Sequence, residues 1–169
     1  MSPDIEIIGD GCAALSLAAR ASELNHNIRL IKPSNAPTTN DHVWGFWSDP
    51  ILAAAQQLAR ATWQKWAIIT HNDCAVLSSE TRPYNAFKRS DWSEHCKGLA
   101  ELSKVTIIAE HEWEKSADSL LFDTRPPVVP NDCMLQHFQG IEVKTKQPCF
   151  DKDMAILMDF RVDQSKGMH

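Results

Sequence analysis

The chain has 169 residues and 43% hydrophobic content, enough for one well-buried core or for a domain and part of a second, which excludes a disordered polypeptide. Seventeen Lys and Arg stand against 22 Asp and Glu, a formal charge of -5 with no basic run, so nothing here would hold a phosphate backbone and nucleic acid is excluded as a partner. Five scattered cysteines fit the reduced thiols of a cytosolic protein, and the seven histidines form no H-x-x-x-H pair, so neither a disulfide framework nor a metal site is expected.

The opening Met1-Ser2-Pro3-Asp4 carries an acid where a secretory leader carries positive charge. No apolar run approaches the ~18 residues of a membrane-spanning helix, although a peripheral membrane contact would leave no such trace. Asp4 to Ile8 is apolar and rich in β-branched residues and runs into Gly9-Asp10-Gly11, the pattern of a buried strand ending in a tight turn. From Ala13 to Leu24, residues Ala14, Leu17, Ala18, Ala21 and Leu24 recur at helical spacing, with Asn25 as the stop. Ile28 to Ile31 then forms a second strand closed by Pro33, which completes β-α-β.

Pro33 to Asp41 is loop chemistry, followed by the aromatic run His42-Val43-Trp44-Gly45-Phe46-Trp47. Composition suggests a helix over Ile51 to Ala61 and a strand over Trp63 to Thr70. A further helix opens at Ser90, whose hydroxyl is suited to capping, and runs through Leu99 and Leu102, weakened by Gly98. Val105 to Ile108 and Ser119 to Asp123 are strand candidates that favour a mostly parallel sheet. Beyond Pro130 the texture changes to two extended segments, Gly140 to Thr145 and Ala155 to Val162, joined across Pro148. The expectation is an α/β chain with a Rossmann-like FAD/NAD(P)-binding fold over residues 1–130 and the beginning of a strand-rich substrate layer over 131–169.

Gly9-Asp10-Gly11-Cys12-Ala13-Ala14 fits G-x-G-x-x-A, in which the first glycine turns the chain, the second admits a pyrophosphate to the backbone and the small third residue lets helix and strand pack. The helix amino terminus, through Cys12 and Ala13, offers N-H groups to phosphate. At the end of the second strand, about 20 residues on, such folds place an acid for the ribose. This chain has Lys32 there, which only donates, so the ribose contact comes from elsewhere, a 2′-phosphate is favoured, or binding is impaired.

Beyond the glycine turn, the chain has His42-Val43-Trp44-Gly45-Phe46-Trp47, then Tyr84 to Arg89, then Gln136 to Val143, Pro148-Cys149-Phe150-Asp151 and Leu157 to Gln164. In these segments it resembles the lycopene cyclase family, whose stretches H-x-W-x-F-W, Q-x-F-x-G-x-E-V, P-x-F-D and L-M-D-F-R-V occur in the same order. The resemblance implies a flavoprotein with an FAD domain and a substrate domain, attached peripherally to the inner face of the membrane. It closes the ψ-ends of lycopene or a related polyene by protonation and carbocation cyclisation, with reduced FAD required and no net redox change. Family members are more than twice as long, and the resemblance places the acidic catalytic motif beyond position 169, so no catalytic residue is assigned and a partial, non-turnover chain is expected.

The candidate cofactor residues are therefore Gly9, Gly11, Cys12, Ala13, Ala14, Lys32 and Arg89, with FAD preferred over NAD(P). The candidate substrate residues are His42, Trp44, Phe46, Trp47, Asp159 and Arg161. Each has a plainer alternative. The aromatic run suits a core as well as a polyene tunnel, Arg89 suits a solvated helix start, and Asp159 with Arg161 suits a structural ion pair. Asp123, at a strand end, is either a ligand position or a turn residue. A non-catalytic nucleotide-binding module and another FAD-dependent oxidoreductase remain the competing functions.

Overall fold

The structure is a computed structural model that describes residues 4–35, 40–133, 140–163 and 165; of the sequence motifs above, Gln136 to Gln139 and Gln164 lie outside them. The chain forms two compact units that interleave along the sequence. One is built from residues 1–42 and 89–139, the other from 43–88 and 140–169.

The first unit holds a four-stranded sheet, all parallel. Its strands are β1 (Ile5–Ile8), β2 (Ile28–Lys32), β8 (Thr106–Ala109) and β9 (Leu120–Asp123), in the order β8-β2-β1-β9. Because β1 has neighbours on both sides and no residue of it reaches solvent, it carries an apolar run rather than alternation. Ile5 and Ile7 on one face pack with Ala14, Leu15 and Ala18 of α1 (Cys12–Ala18) and with Cys96 and Ala100 of α4 (Arg89–Leu102). Each such fully buried Ile or Leu contributes roughly 1.5–3 kcal/mol.

Glu6 faces the other way and is fully buried. It accepts hydrogen bonds from Ser119 Oγ at 2.6 Å, Trp113 Nε1 at 2.9 Å, the Ser116 amide at 3.1 Å and Arg29 Nη1 at 3.2 Å. Burial pushes the carboxyl upward, but the bonds from Ser119, Trp113 and Ser116 and the Arg29 cation outweigh it and hold the group below its ordinary range. The segment before β9 is thereby fastened to the far face of the sheet.

The helix expected over Ala13 to Leu24 is two pieces, α1 and α2 (Ala21–Leu24). The Arg20 amide bonds to Leu17 three residues back, and Arg20 pairs with Glu23, so the chain tightens and restarts. Asn25 ends it in the left-handed conformation at φ 52, as a helix stop does. At α4 the capping partner is not Ser90 acting on the helix. Asp41 accepts from the Ser90 amide at 3.0 Å and from its hydroxyl at 2.8 Å.

The second unit contains two three-stranded sheets. Antiparallel β3 (Val43–Trp47), β7 (Tyr84–Lys88) and β4 (Ala61–Trp63) lie in the order β3-β7-β4. In the other, β10 (Met154–Asp159) runs parallel to β5 (Lys65–Ile69), which pairs antiparallel with β6 (Cys74–Ser78).

The expected helix over Ile51 to Ala61 shrinks to a 3-10 turn at Pro50–Leu52, capped by Asp49, followed by α3 (Ala53–Gln57). The expected strand Trp63 to Thr70 breaks at Gln64, which divides it between the two sheets. Gly140 to Thr145 forms no strand: Ile141 and Val143 are exposed and Glu142 pairs outward with Arg60 at 3.1 Å. Among the described residues no helix is long and apolar enough to cross a membrane.

Candidate functional site

In the first unit, the carboxyl ends of β1, β2 and β9 meet where the chain leaves β1 for β2 on one side and returns as β9 on the other, the switch point at which open parallel sheets hold ligands. A cavity of about 420 Å³ opens there, lined by Gly9 and Gly11 from the turn, Pro33 and Asn35 after β2, His42 and Arg89 before and at α4, and Thr124 and Arg125 after β9.

Gly9 sits at φ +136, a conformation open essentially to glycine alone, and a Cβ there would run into Thr124 Oγ1. Thr124 is itself fixed, its amide and hydroxyl both donating to the Ile8 carbonyl at 2.9 and 2.8 Å. The second glycine faces open space, with nothing within 4 Å of the position a Cβ would take. Gly11 is also the cap of α1 and no side chain covers it, so the first-turn amides of Cys12, Ala13 and Ala14 stay available to an incoming acceptor. Ala14 is buried, and its own Cβ lies 3.3 Å from the Cβ position built on Gly9, so a larger residue would part helix from strand.

Arg89 is among the residues that line the cavity, its amide donates to the His42 carbonyl at 2.9 Å, and its guanidinium forms no ion pair with a described residue. Arg125 is different. Asp123 grips it at 2.6–3.2 Å and Glu110 at 2.9 Å. These bonds from Arg125 hold the Asp123 carboxyl below the usual range and raise the guanidinium. Lys32 ends β2 with its side chain exposed and without an ion pair to a described residue. Behind the turn, Cys96 is buried against α1; burial, the neighbouring Cys12 and, in opposition, a bond with Ser16 leave its thiol pushed up to about 11.

Of the residues singled out from sequence for a cofactor, Gly9, Gly11 and Arg89 share this cavity, and His42, singled out for substrate, lies there with them. Asn35, Thr124 and Arg125, the last bonded to Glu110, are the positions that sequence reasoning missed; the chemistry-bearing signal was only Asp123 at a strand end.

The other substrate candidates belong to the second unit. Trp44 and Phe46 share one face of β3 and meet Phe87 edge-on at 5.8 and 5.3 Å. On the opposite face Trp47 meets Tyr84 at 5.1 Å and Trp66 at 6.1 Å. That face also borders a second cavity of about 910 Å³, lined by Val43, Gly45, Trp63, Tyr84, Phe150 and Ile156 among others. Tyr84 crosses directly over Gly45, whose missing Cβ is what lets the phenol lie there. Asp159 and Arg161 form a fork with each other at 2.6 and 2.8 Å, which holds Asp159 at about 2.

Solved structures that share the fold include the following three. The tetrameric form of 2-methyl-3-hydroxypyridine-5-carboxylic acid oxygenase is 18% identical with a TM-score of 0.50, covering 62% of this chain and 30% of that one. PqsL of P. aeruginosa in complex with 2-aminobenzoylacetate is 9% identical with a TM-score of 0.51, covering 64% and 33%. The p-nitrophenol 4-monooxygenase PnpA of Pseudomonas putida is 11% identical with a TM-score of 0.50, covering 63% and 31%. At these identities the likeness carries the Rossmann-like fold and nothing finer, and the chain spans about a third of the length of those proteins. No curated protein matches the sequence. The family described as "Lycopene cyclase protein" matches residues 4–169, nearly the whole chain: by that match, with the parallel sheet and glycine corner in place, the chain belongs to the lycopene cyclase family.

Proposed function

We propose that this chain is the nucleotide-binding part of a flavoprotein that cyclises the ψ-ends of lycopene or a related polyene, with the diphosphate of FAD held at the Gly9 to Ala14 corner. The observation that carries the reading is the cavity at the switch point, where a turn that tolerates no Cβ at Gly9, an uncapped helix start and Arg89, which has no ion-pair partner among the described residues, come together. Those features suit a polyanion in direct contact with backbone. Gly9 and Gly11 admit it closely, the amides of Cys12 to Ala14 donate to its oxygens, and Arg89 closes it from the side. When bound, reduced FAD would supply an electron-rich neighbour to a developing cation.

The substrate would be met by the second unit. Its cavity of about 910 Å³ lies within the size range of small-molecule sites and is walled by Trp63, Tyr84 and Phe150. Aromatic faces tolerate a polyene and stabilise positive charge on it. In this reading Trp44 and Phe46 support the wall from behind through Phe87, and Trp47 borders the chamber through Tyr84. The exposed apolar side chains of this unit, Val76 and Ile156 among them, suit a protein that works on a membrane-dissolved hydrocarbon at the inner face of the membrane.

The test is titration of the full chain with FAD, followed by thermal melting. A ligand that binds only the folded state raises the midpoint as its concentration passes Kd. A rise with FAD that is weakened in Arg89→Gln supports the reading; a midpoint indifferent to FAD, NAD and NADP alike refutes it.

A further inference from the structure

We infer that Glu110 is the carboxylate that receives the ribose hydroxyls of the bound nucleotide, supplied by the end of β8 because Lys32 leaves the end of β2 without one; the inference rests on the nucleotide-binding reading above.

The sheet makes the exchange possible. β8 lies beside β2 in parallel register with Ala109 opposite Lys32, so the next residue on each strand, Glu110 and Pro33, leaves the sheet at the same edge. Glu110 turns toward the β2 side: its Oε2 accepts from the Ser34 amide at 2.9 Å. Its Oε1 accepts from Arg125 Nη1 at 2.9 Å. Pro33, Asn35 and Arg125 line the cavity at the glycine turn, and the carboxylate bonds to Arg125 itself and to the amide of Ser34, which lies between the other two.

Charge and valence decide what it would bind. Arg125 is already forked onto Asp123, so one guanidinium serves two carboxylates and the trio keeps a net negative charge. An ionised carboxylate offers about four acceptor sites, and the two bonds found leave room for two hydroxyl donors, the number a ribose cis-diol presents. The side chain is 30% exposed, which leaves it reachable yet partly desolvated. A 2′-phosphate would meet this negative group unfavourably. Lys32, with donors only, cannot take the hydroxyl-accepting role and points into solvent.

The experiment is calorimetric titration of the full chain, wild type and Glu110→Gln, with ADP, 2′,3′-dideoxy-ADP and 2′-phospho-ADP. Wild type should bind ADP about tenfold more tightly than the dideoxy compound, the value of one or two hydrogen bonds to a charged acceptor, and more tightly than the 2′-phosphate. Glu110→Gln should bind ADP and dideoxy-ADP alike, with its affinity for dideoxy-ADP unchanged. A wild type that does not discriminate ADP from dideoxy-ADP, a wild type that prefers 2′-phospho-ADP, or a variant that keeps the tenfold ratio overturns the assignment of Glu110 and leaves the nucleotide site standing. A wild type that binds neither ADP nor FAD overturns both.

Discussion

The two units solve the problem of burying a sheet in different ways. In the first, β1 is covered on both faces, by α1 and α4 on one side and by the segment around Trp113 to Ser119 on the other, and its residues are wholly buried. In the second, no strand is buried along its whole length: β6 is exposed throughout and Ile156 and Met158 of β10 are about half exposed, an exposure matched in the first unit by its edge strand β9 but not by β1. The first unit is held by continuous hydrophobic packing, in which any change of volume is felt. The second rests on a few specific devices, chiefly the buried Asn85 and the edge-on aromatic pairs. Perturbations of the first should therefore cost more, and cost it in the unit proposed to hold the nucleotide.

The sharpest way to break that comparison is at Gly9. Gly9→Val places a β-branched side chain at φ +136 and drives it into Thr124, so strain and overpacking add. The expected loss is about 4 kcal/mol in denaturant unfolding, together with loss of FAD-dependent stabilisation. A valine variant that keeps both stability and binding would remove the glycine corner from any role.

Glu6→Gln comes next, at about 3 kcal/mol, because the amide presents donors to groups that were themselves donating and strips Arg29 of its counter-charge. The pH dependence has a definite sign. Since the folded-state carboxyl sits below its ordinary value of 4.5, its contribution is fully present above that value and is lost as pH falls through the folded-state value. Melting followed from pH 6 downward should show a steeper acid loss in wild type than in Glu6→Gln.

Glu6 also shows where sequence reasoning stops. A lone acid inside an apolar strand looks like an interruption, and its four partners come from residues 29, 113, 116 and 119, separations that no local pattern encodes. What was legible was local. The strand-turn-helix at Gly9, the stop at Asn25 and the existence of strands β8 and β9 all follow from short-range chemistry. What was not legible depended on partners across the fold. Asp41 rather than Ser90 caps α4, Gln64 divides one β-rich run between two sheets, and Gly140 to Thr145 has strand composition but finds no strand to pair with. At the candidate site the glycines and Arg89 were visible as motif residues, whereas Thr124, Arg125 and Glu110 become neighbours only when β8 and β9 flank the first two strands.

In the second unit the corresponding break is Asn85→Leu. Asn85 is fully buried, donates to Ser48 Oγ at 2.8 Å and the Pro83 carbonyl at 3.0 Å, and accepts from Thr62 Oγ1 at 2.8 Å. It thus links β7 to β4 and to the residue that follows β3. Leucine fills similar space but leaves those groups unpaired, at about 2 kcal/mol. This unit's stability should fall while FAD-dependent stabilisation of the other is preserved, a separation that hydrogen exchange resolves segment by segment.

Arg89→Gln should leave stability unchanged and weaken FAD about tenfold, the cost of one charge-assisted contact to phosphate. Its guanidinium pairs with no described carboxylate, so removing it leaves no orphaned charge behind. Equal affinity in variant and wild type would assign the residue to a solvated helix start.

The smallest effect belongs to Arg161→Ala. The fork on Asp159 is short, yet both partners are open to water and two residues apart, so the pair forms locally and joins no separate parts of the sheet. Solvent screening should reduce its contribution to nothing measurable, and the melting midpoint should not move. What must move is the Asp159 carboxyl, held at about 2 chiefly by its hydrogen bonds to the Arg161 side chain and amide, which NMR titration would find closer to its ordinary 3.8 once the guanidinium is gone. A falling midpoint with an unmoved carboxyl would mean that the arginine acts through the strand edge rather than through its ion pair, and that this unit depends on its rim more than on Asn85.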